Sequence, residues 1–273
     1  MPDAPSSARP TLRYIEYHLV EHCNLTCNRC GHFSPLAPAS EADPHDFERD
    51  LRQLAHHFEK ILKIRLLGGE PLLHPTAEAF VDIARAVFPQ SDVRIVTNGT
   101  RLKAMHDRFW EVCRRAGVTI DLSLYPIMAK ALPAIEELCR RQGVALNVSR
   151  CDTFYAGLNP HGDSDPQRSM KYCRTHFYAP FLKDSRLYVC AFPPTTQYFN
   201  NKFGKSLVDD PGIDIFDPTL NGRDILRRLN TPVETCRFCA CLWEAKPWEL
   251  IRVHRAEDYS ATTIVTGKEA PAS

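Results

Sequence analysis

The sequence carries almost no net charge, no apolar run of membrane-spanning length and no internal repeat. Lys and Arg number 34 against 33 Asp and Glu, a formal charge of +1, so no electrostatic case arises for nucleic acid or for an anionic membrane surface. A transmembrane helix needs about 20 predominantly apolar residues, and no such stretch is present. Residues 1–10, rich in Pro, Ala and Ser, lack the apolar core of a secretory signal and read as a frayed tail, as do the polar residues 256–273. A cytoplasmic location is the expectation. At 273 residues the chain can bury one large domain with an appendage. Cysteine is abundant by contrast, with eleven residues. Without a secretion signal, and with an odd count, metal binding is the better reading than disulfides.

The first half alternates strand-like and helix-like segments. Strands are expected over 14–20, 64–67, 93–96, 119–124 and 145–150. Helices are expected over 47–62, 77–88, 101–116 with Gly117 as a stop, and 127–141 with a start displaced by Pro133. Alternating units of this kind predict a parallel sheet with right-handed crossovers. The pattern stops after about five units, short of a closed eight-unit barrel. A loop-rich link is expected from Cys151 to Met170. After it come half a hairpin at 186–189, a polar connection at 207–221 and a short helix at 225–229.

The chemistry concentrates in Cys23-Asn24-Leu25-Thr26-Cys27-Asn28-Arg29-Cys30, spaced C-x3-C-x2-C directly after the first strand. Three thiolates hold three irons of a [4Fe-4S] cube and leave the fourth iron for a ligand that is not protein, whereas a structural site fills all its positions. Gly68-Gly69-Glu70-Pro71 follows the second strand, and Thr97-Asn98-Gly99-Thr100 the third. In this order and context the three motifs resemble those of the radical S-adenosylmethionine (SAM) enzymes.

The resemblance implies that Cys23, Cys27 and Cys30 hold the cluster. It also implies that Gly68, Gly69, Glu70 and Asn98 bind SAM, and that a reductant such as flavodoxin or ferredoxin supplies the electron. Arg29 replaces the aromatic residue usual before the third cysteine, and His32 and Phe33 are the candidates to cover adenine instead. Ser123, ending the fourth strand, is a candidate for the SAM ribose or carboxylate. A histidine, His22 or His32, as fourth ligand of a zinc ion is the competing reading.

Cys173, Cys190, Cys236 and Cys239 form a second set, with Cys241 as an alternative to Cys239. The set resembles the twitch subdomain, a shortened relative of the SPASM domain, which holds an auxiliary [4Fe-4S] cluster. A structural zinc suits four thiolates as well. The fold expectation is therefore α/β: an incomplete (partial) TIM-type β/α barrel over 11–160 with a small twitch-like iron-sulfur subdomain over 161–250. Trp243 and Trp248 are expected to pack over the second set. Cys113 and Cys139, among apolar residues at helical spacing, read as buried structural thiols.

Candidate catalytic residues are Glu16, Tyr125, Arg150 and Cys151. Glu16 faces either the barrel interior or solvent. Arg150 either holds an anion or is simply solvated. Cys151 is a hydrogen donor or an ordinary loop thiol. The resemblance extends to twitch-bearing alcohol dehydrogenases. It implies oxidation of an alcohol carbon in a small polar substrate such as a sugar, aminocyclitol or nucleotide-sugar, with the auxiliary cluster as electron acceptor. The alternatives are an epimerase using Cys151, an enzyme modifying a ribosomal peptide, and a zinc or iron-sulfur sensor without catalysis. No nucleic-acid or membrane partner is expected.

Overall fold

The computed structural model describes residues 8–207 and 210–262, with the side chains of residues 241–244 excepted. Four strand–helix units and a fifth strand make up the first half of the chain. They are β1 (Ile15–Val20), α1 (Pro44–His57), β2 (Lys63–Gly68), α2 (Ala77–Val87), β3 (Asp92–Thr97), α3 (Asp107–Arg115), β4 (Thr119–Leu124), α4 (Leu132–Gln142) and β5 (Ala145–Arg150). Next come β6 (Thr153–Leu158), α5 (Pro166–His176), β7 (Phe181–Lys183), β8 (Arg186–Tyr188), α6 (Phe192–Phe203), β9 (Ile213–Asp214), α7 (Gly222–Leu229) and β10 (Cys239–Pro247).

The main sheet runs β9-β8-β7-β1-β2-β3-β4-β5, parallel from β7 to β5, with its two outermost strands unjoined among the described residues. This is a mixed α/β fold around a parallel sheet, consistent with a partial barrel.

Parallel strands buried on both faces read as continuous apolar runs. These alternate. Ile15, Tyr17, Leu19, Ile64, Leu66, Val93, Ile95, Ile120 and Leu122 form the buried face under the helices, where Tyr17 meets Phe47 at 4.4 Å between ring centroids. The other face carries a polar ladder. Arg65 lies beside both Glu16 and Arg94 in register. Asp121 accepts from Arg94 at 2.9 Å and from Asn147 at 3.0 Å. A polar inner face is what an open barrel presents to a ligand.

Element ends follow local chemistry. Asp43 caps α1 by accepting from the amide of His45 at 2.8 Å, and Pro44 takes a position where its missing N–H costs nothing. Helix α1 stops at His57 rather than continuing to Leu62, because Thr11–Leu12 captures Lys60–Ile61 in a short parallel pair. Residues 101–116 divide into a 3-10 turn at Leu102–Ala104 and α3, which is capped by His106 and closed by Gly117 at φ 62°. Pro133 falls in the first turn of α4, and the preceding residues form a 3-10 helix.

The link expected from Cys151 to Met170 contains a strand instead. β6 pairs antiparallel with the distant β10. A sixth parallel strand, β7, joins the opposite edge of β1 and turns into β8 through Asp184 and Ser185, both at positive φ, the turn geometry that matches hairpin twist. The segment beyond Arg255 is ordered as far as it is described. Ala256–Tyr259 is a 3-10 turn, and Tyr259 is buried against Phe33 and Phe199. Residues 263–273 lie outside the described residues. No helix among the described residues is long and apolar enough to cross a membrane.

Candidate functional site

The cysteine loop is placed by glycines. A Cβ on Gly69 would lie 1.9 Å from the carbonyl oxygen of His22, and one on Gly68 would lie 2.2 Å from that of Val20. Only bare backbone lets the end of β2 approach the loop this closely. Within the loop, Arg29 and Phe33 adopt positive φ, and the amide of Phe33 donates to the carbonyl of Cys30 at 3.0 Å; burial raises the Cys30 thiol, against the nearby amides of His32, Ser34 and Phe33. Cys23 accepts from the amide of Leu25 at 3.4 Å and from the Asn98 side chain at 3.8 Å. Cys27 accepts from the indole of Trp248 at 3.2 Å.

Burial pushes the Cys23 thiol up to about 12 and the Cys27 thiol up to about 11, against these donors. Such sulfurs stay thiolates when a bound metal supplies positive charge. Three sulfurs ringed by N–H donors fit an iron-sulfur cluster, whose thiolates accept hydrogen bonds.

Two cavities flank this loop. The smaller, about 240 Å³, is lined by Cys23, Cys27 and Cys30, by Gly68, Gly69, Asn98 and Ser123, and by Tyr125. The larger, about 480 Å³, is lined by Cys30 and also by Cys173, Cys190, Cys236 and Cys239. Glu16, Cys30, Gly31, His32 and Arg65 belong to both linings.

The four distal cysteines come from four elements. Cys173 lies on α5, Cys190 between β8 and α6, Cys236 in the 3-10 turn Glu234–Phe238, and Cys239 at the start of β10. Burial pushes the Cys190 thiol far up, and Cys173, Cys236 and Cys239 add to the shift by like-charge repulsion. Convergence of this kind suits a shared polynuclear metal group. None of the ten described cysteine side chains forms a disulfide. Among the described residues no three His, Cys, Asp or Glu side chains converge on a single-ion site. Cys241 and Trp243 have side chains outside the described residues.

Glu16 points inward. Its carboxylate accepts from the Tyr14 hydroxyl at 2.6 Å and lies 3.5 Å from Arg65, which also donates to the Tyr14 oxygen at 2.9 Å. Burial raises the Glu16 carboxyl, with Tyr14 and Arg65 pulling it back. Tyr14 and Arg65 were not singled out from sequence. Their signal was the alternation of polar and apolar residues along β1 and β2.

The structure places the other candidate residues as follows. The Glu70 carboxylate lines neither cavity. It is fully buried and accepts from the Thr97 hydroxyl and the amides of Leu72 and Asn98 at 2.6, 3.1 and 2.8 Å, tying two strand ends together. Burial raises its carboxyl to about 7 despite these donors. Phe33 packs with Phe192, Phe199 and Tyr259 and lines the larger cavity, not the one holding Ser123 and Asn98. Arg150 is exposed, and Cys151 sits beside Ser123 and Ser149; neither lines either of these two cavities.

Trp248 reaches Cys27 rather than the distal cysteines and stacks on Tyr125 at 5.1 Å. The amide of Ser40 donates to Nδ1 of His22 at 3.4 Å, and Nδ1 of His32 lies 2.7 Å from the His18 ring. Cys113 and Cys139 are buried, as their helical spacing implied.

Comparison with known proteins follows this geometry. Residues 17–142 match the family model described as Radical SAM superfamily. The GTP 3',8-cyclase of Chlorobaculum tepidum is 30% identical over 141 residues, covering 51% of this chain and 41% of that protein. The chain thus spans about two fifths of that relative's length. The GTP 3',8-cyclase of Aliarcobacter butzleri is 22% identical over 234 residues, covering 81% of this chain and 68% of the relative. The crystal structure of BtrN in complex with AdoMet and 2-DOIA superposes with a TM-score of 0.52 at 14% identity, covering 85% of this chain and 94% of that one. That last likeness shows the fold alone.

Proposed function

We propose that this chain, a radical SAM enzyme through residues 17–142, oxidises an alcohol carbon of a small polar substrate of the sugar, aminocyclitol or nucleotide-sugar kind. One observation carries the reading: a single cavity is lined by Cys30, by the four distal cysteines Cys173, Cys190, Cys236 and Cys239, and by Glu16 and Arg65. When bound, SAM and a cluster on Cys23, Cys27 and Cys30 supply a hydrogen-abstracting radical, and a second [4Fe-4S] cluster on Cys173, Cys190, Cys236 and Cys239 supplies an electron sink.

The rest is the chain's own part. Turning an alcohol into a carbonyl removes one hydrogen atom from carbon, one proton from oxygen and one electron. Glu16, made more basic by burial, takes the hydroxyl proton, and Arg65 and the Tyr14 hydroxyl hold it in place. The aromatic residues Tyr155, Phe177, Tyr178 and Phe238 in the lining exclude water. A flavodoxin- or ferredoxin-type carrier supplies the electron that cleaves SAM and takes up the one passed to the second site, so the electron count closes.

The cyclase relatives favour a second reading, a nucleotide substrate. A triphosphate needs cations without partners, and the two arginines in the larger cavity already have carboxylates. Arg29 pairs with Glu249 at 3.2 Å, and Arg65 pairs with Glu16 and Asp121 at 3.5 Å each. This supports a neutral polyol or amino-polyol over a nucleoside triphosphate. The lining also speaks against hydrogen return by Cys151, which borders neither cavity.

The test is to incubate reconstituted protein with SAM and dithionite plus a panel of polyols, aminocyclitols, nucleotide-sugars and GTP. The expected result is a carbonyl product matching 5'-deoxyadenosine one to one. SAM cleavage with every compound left unchanged, or conversion of GTP alone, contradicts it.

A further inference from the structure

We infer that Trp248 sets the electron affinity of the cluster on the cysteine loop, by donating its indole N–H to the sulfur of Cys27. The contact is 3.2 Å across 221 residues of sequence, and its geometry is fixed from several sides. The Trp248 ring lies nearly parallel to that of Tyr125, at 16°, and Tyr125 lines the smaller cavity. The Trp248 amide donates to Asp152 at 2.9 Å.

The residues that follow then lace onto the loop. The amide of Asn28 donates to the Glu249 carbonyl at 2.9 Å, the amide of Ile251 donates to the Thr26 carbonyl at 3.0 Å, and Leu250 bridges Cys27. The Glu249 carboxylate accepts from the Asn28 side chain at 2.7 Å and pairs with Arg29 at 3.2 Å. The indole therefore cannot drift from the sulfur without breaking a short ladder.

Nothing in this arrangement requires a nitrogen on the ring. A phenylalanine keeps an aromatic ring to stack on Tyr125, in a smaller volume and without the N–H. What the indole adds is one N–H dipole aimed at a thiolate. Hydrogen bonds to cluster sulfurs help set reduction potentials, because the donor stabilises the more electron-rich, reduced form over the oxidised one. The cluster ligated by Cys27 is thus easier to reduce with Trp248 in place. Trp248 is a positioning residue acting through Cys27, and the distal segment after β6 and β10 thereby reaches back to the cluster of the barrel. The inference rests on the three-cysteine cluster and is independent of the substrate.

The test compares reconstituted wild-type protein with Trp248→Phe by EPR-monitored redox titration, with and without SAM. The signal that SAM perturbs identifies the loop cluster. The expected result is unchanged iron content and a more negative midpoint for that signal alone in the variant. In wild-type protein carrying ¹⁵N-indole tryptophan, the reduced loop cluster should show coupling to an indole nitrogen, and that coupling should vanish in Trp248→Phe. An unshifted midpoint at full iron content overturns the inference, and so does absence of the nitrogen coupling in the wild type. If the variant loses its iron, the wild-type coupling decides alone. Wild-type protein that binds no iron at the loop removes both the inference and the cluster beneath it.

Discussion

The two cysteine sites are built in opposite ways. The loop site takes Cys23, Cys27 and Cys30 from one short turn after β1, seated on Gly68 and Gly69. The distal site takes Cys173, Cys190, Cys236 and Cys239 from four separate segments that line one cavity. A site made from one turn survives changes elsewhere in the chain and can leave a coordination position free. A site made from four elements forms only after those elements have packed, and four thiols leave no position free. The difference suggests a division of work: an open site that starts chemistry and a closed one that receives an electron.

That contrast is broken most severely at the loop. Cys27→Ala should abolish 5'-deoxyadenosine release on reduction, with iron falling from about eight per chain to about four. The corresponding change at the distal site, Cys190→Ala, should also cost about four irons. Yet it should leave 5'-deoxyadenosine release in place while carbonyl product disappears. Loss of both activities in Cys190→Ala, measured by product chromatography, would merge the two sites into one functional unit.

A third experiment concerns the joint under the loop. The Glu70 carboxyl is raised by burial from 4.5 to about 7, so folding favours its protonated form. Its contribution to stability is fully present below pH 4.5 and is lost as pH rises through about 7, a change on the order of 3 kcal/mol at most. Parallel unfolding of wild type and Glu70→Gln at pH 5 and pH 8 should show the variant gaining relative to wild type at the higher pH. A constant difference would mean that Glu70 stays ionised throughout.

The smallest effect is expected away from both sites. Cys139→Ala should cost about 1 kcal/mol through lost packing, with iron content unchanged. Denaturant midpoints and iron assays check both halves of that statement.

How much of this was readable beforehand follows the same contrast. The loop and the five parallel strands announce themselves locally, because motif spacing and apolar alternation lie within short windows. The partner of β6 is β10, far along the chain, and Gly157 and Asn159-Pro160 disguise β6 as a link. β7 has three residues, too few for a periodic signal. Glu70 sits in a motif that suggested direct contact with SAM; that its carboxylate also ties Thr97 and Asn98 to its own strand end is a fact only tertiary structure supplies. Trp248 is adjacent in sequence to the distal cysteines, whereas the β6–β10 pairing carries it to Cys27.

The most direct measurement is Mössbauer spectroscopy of anaerobically reconstituted ⁵⁷Fe protein before and after SAM. The account predicts about eight irons in two [4Fe-4S] clusters, with SAM altering one iron of one cluster and leaving the other cluster untouched. A single cluster, or two clusters indifferent to SAM, would contradict it.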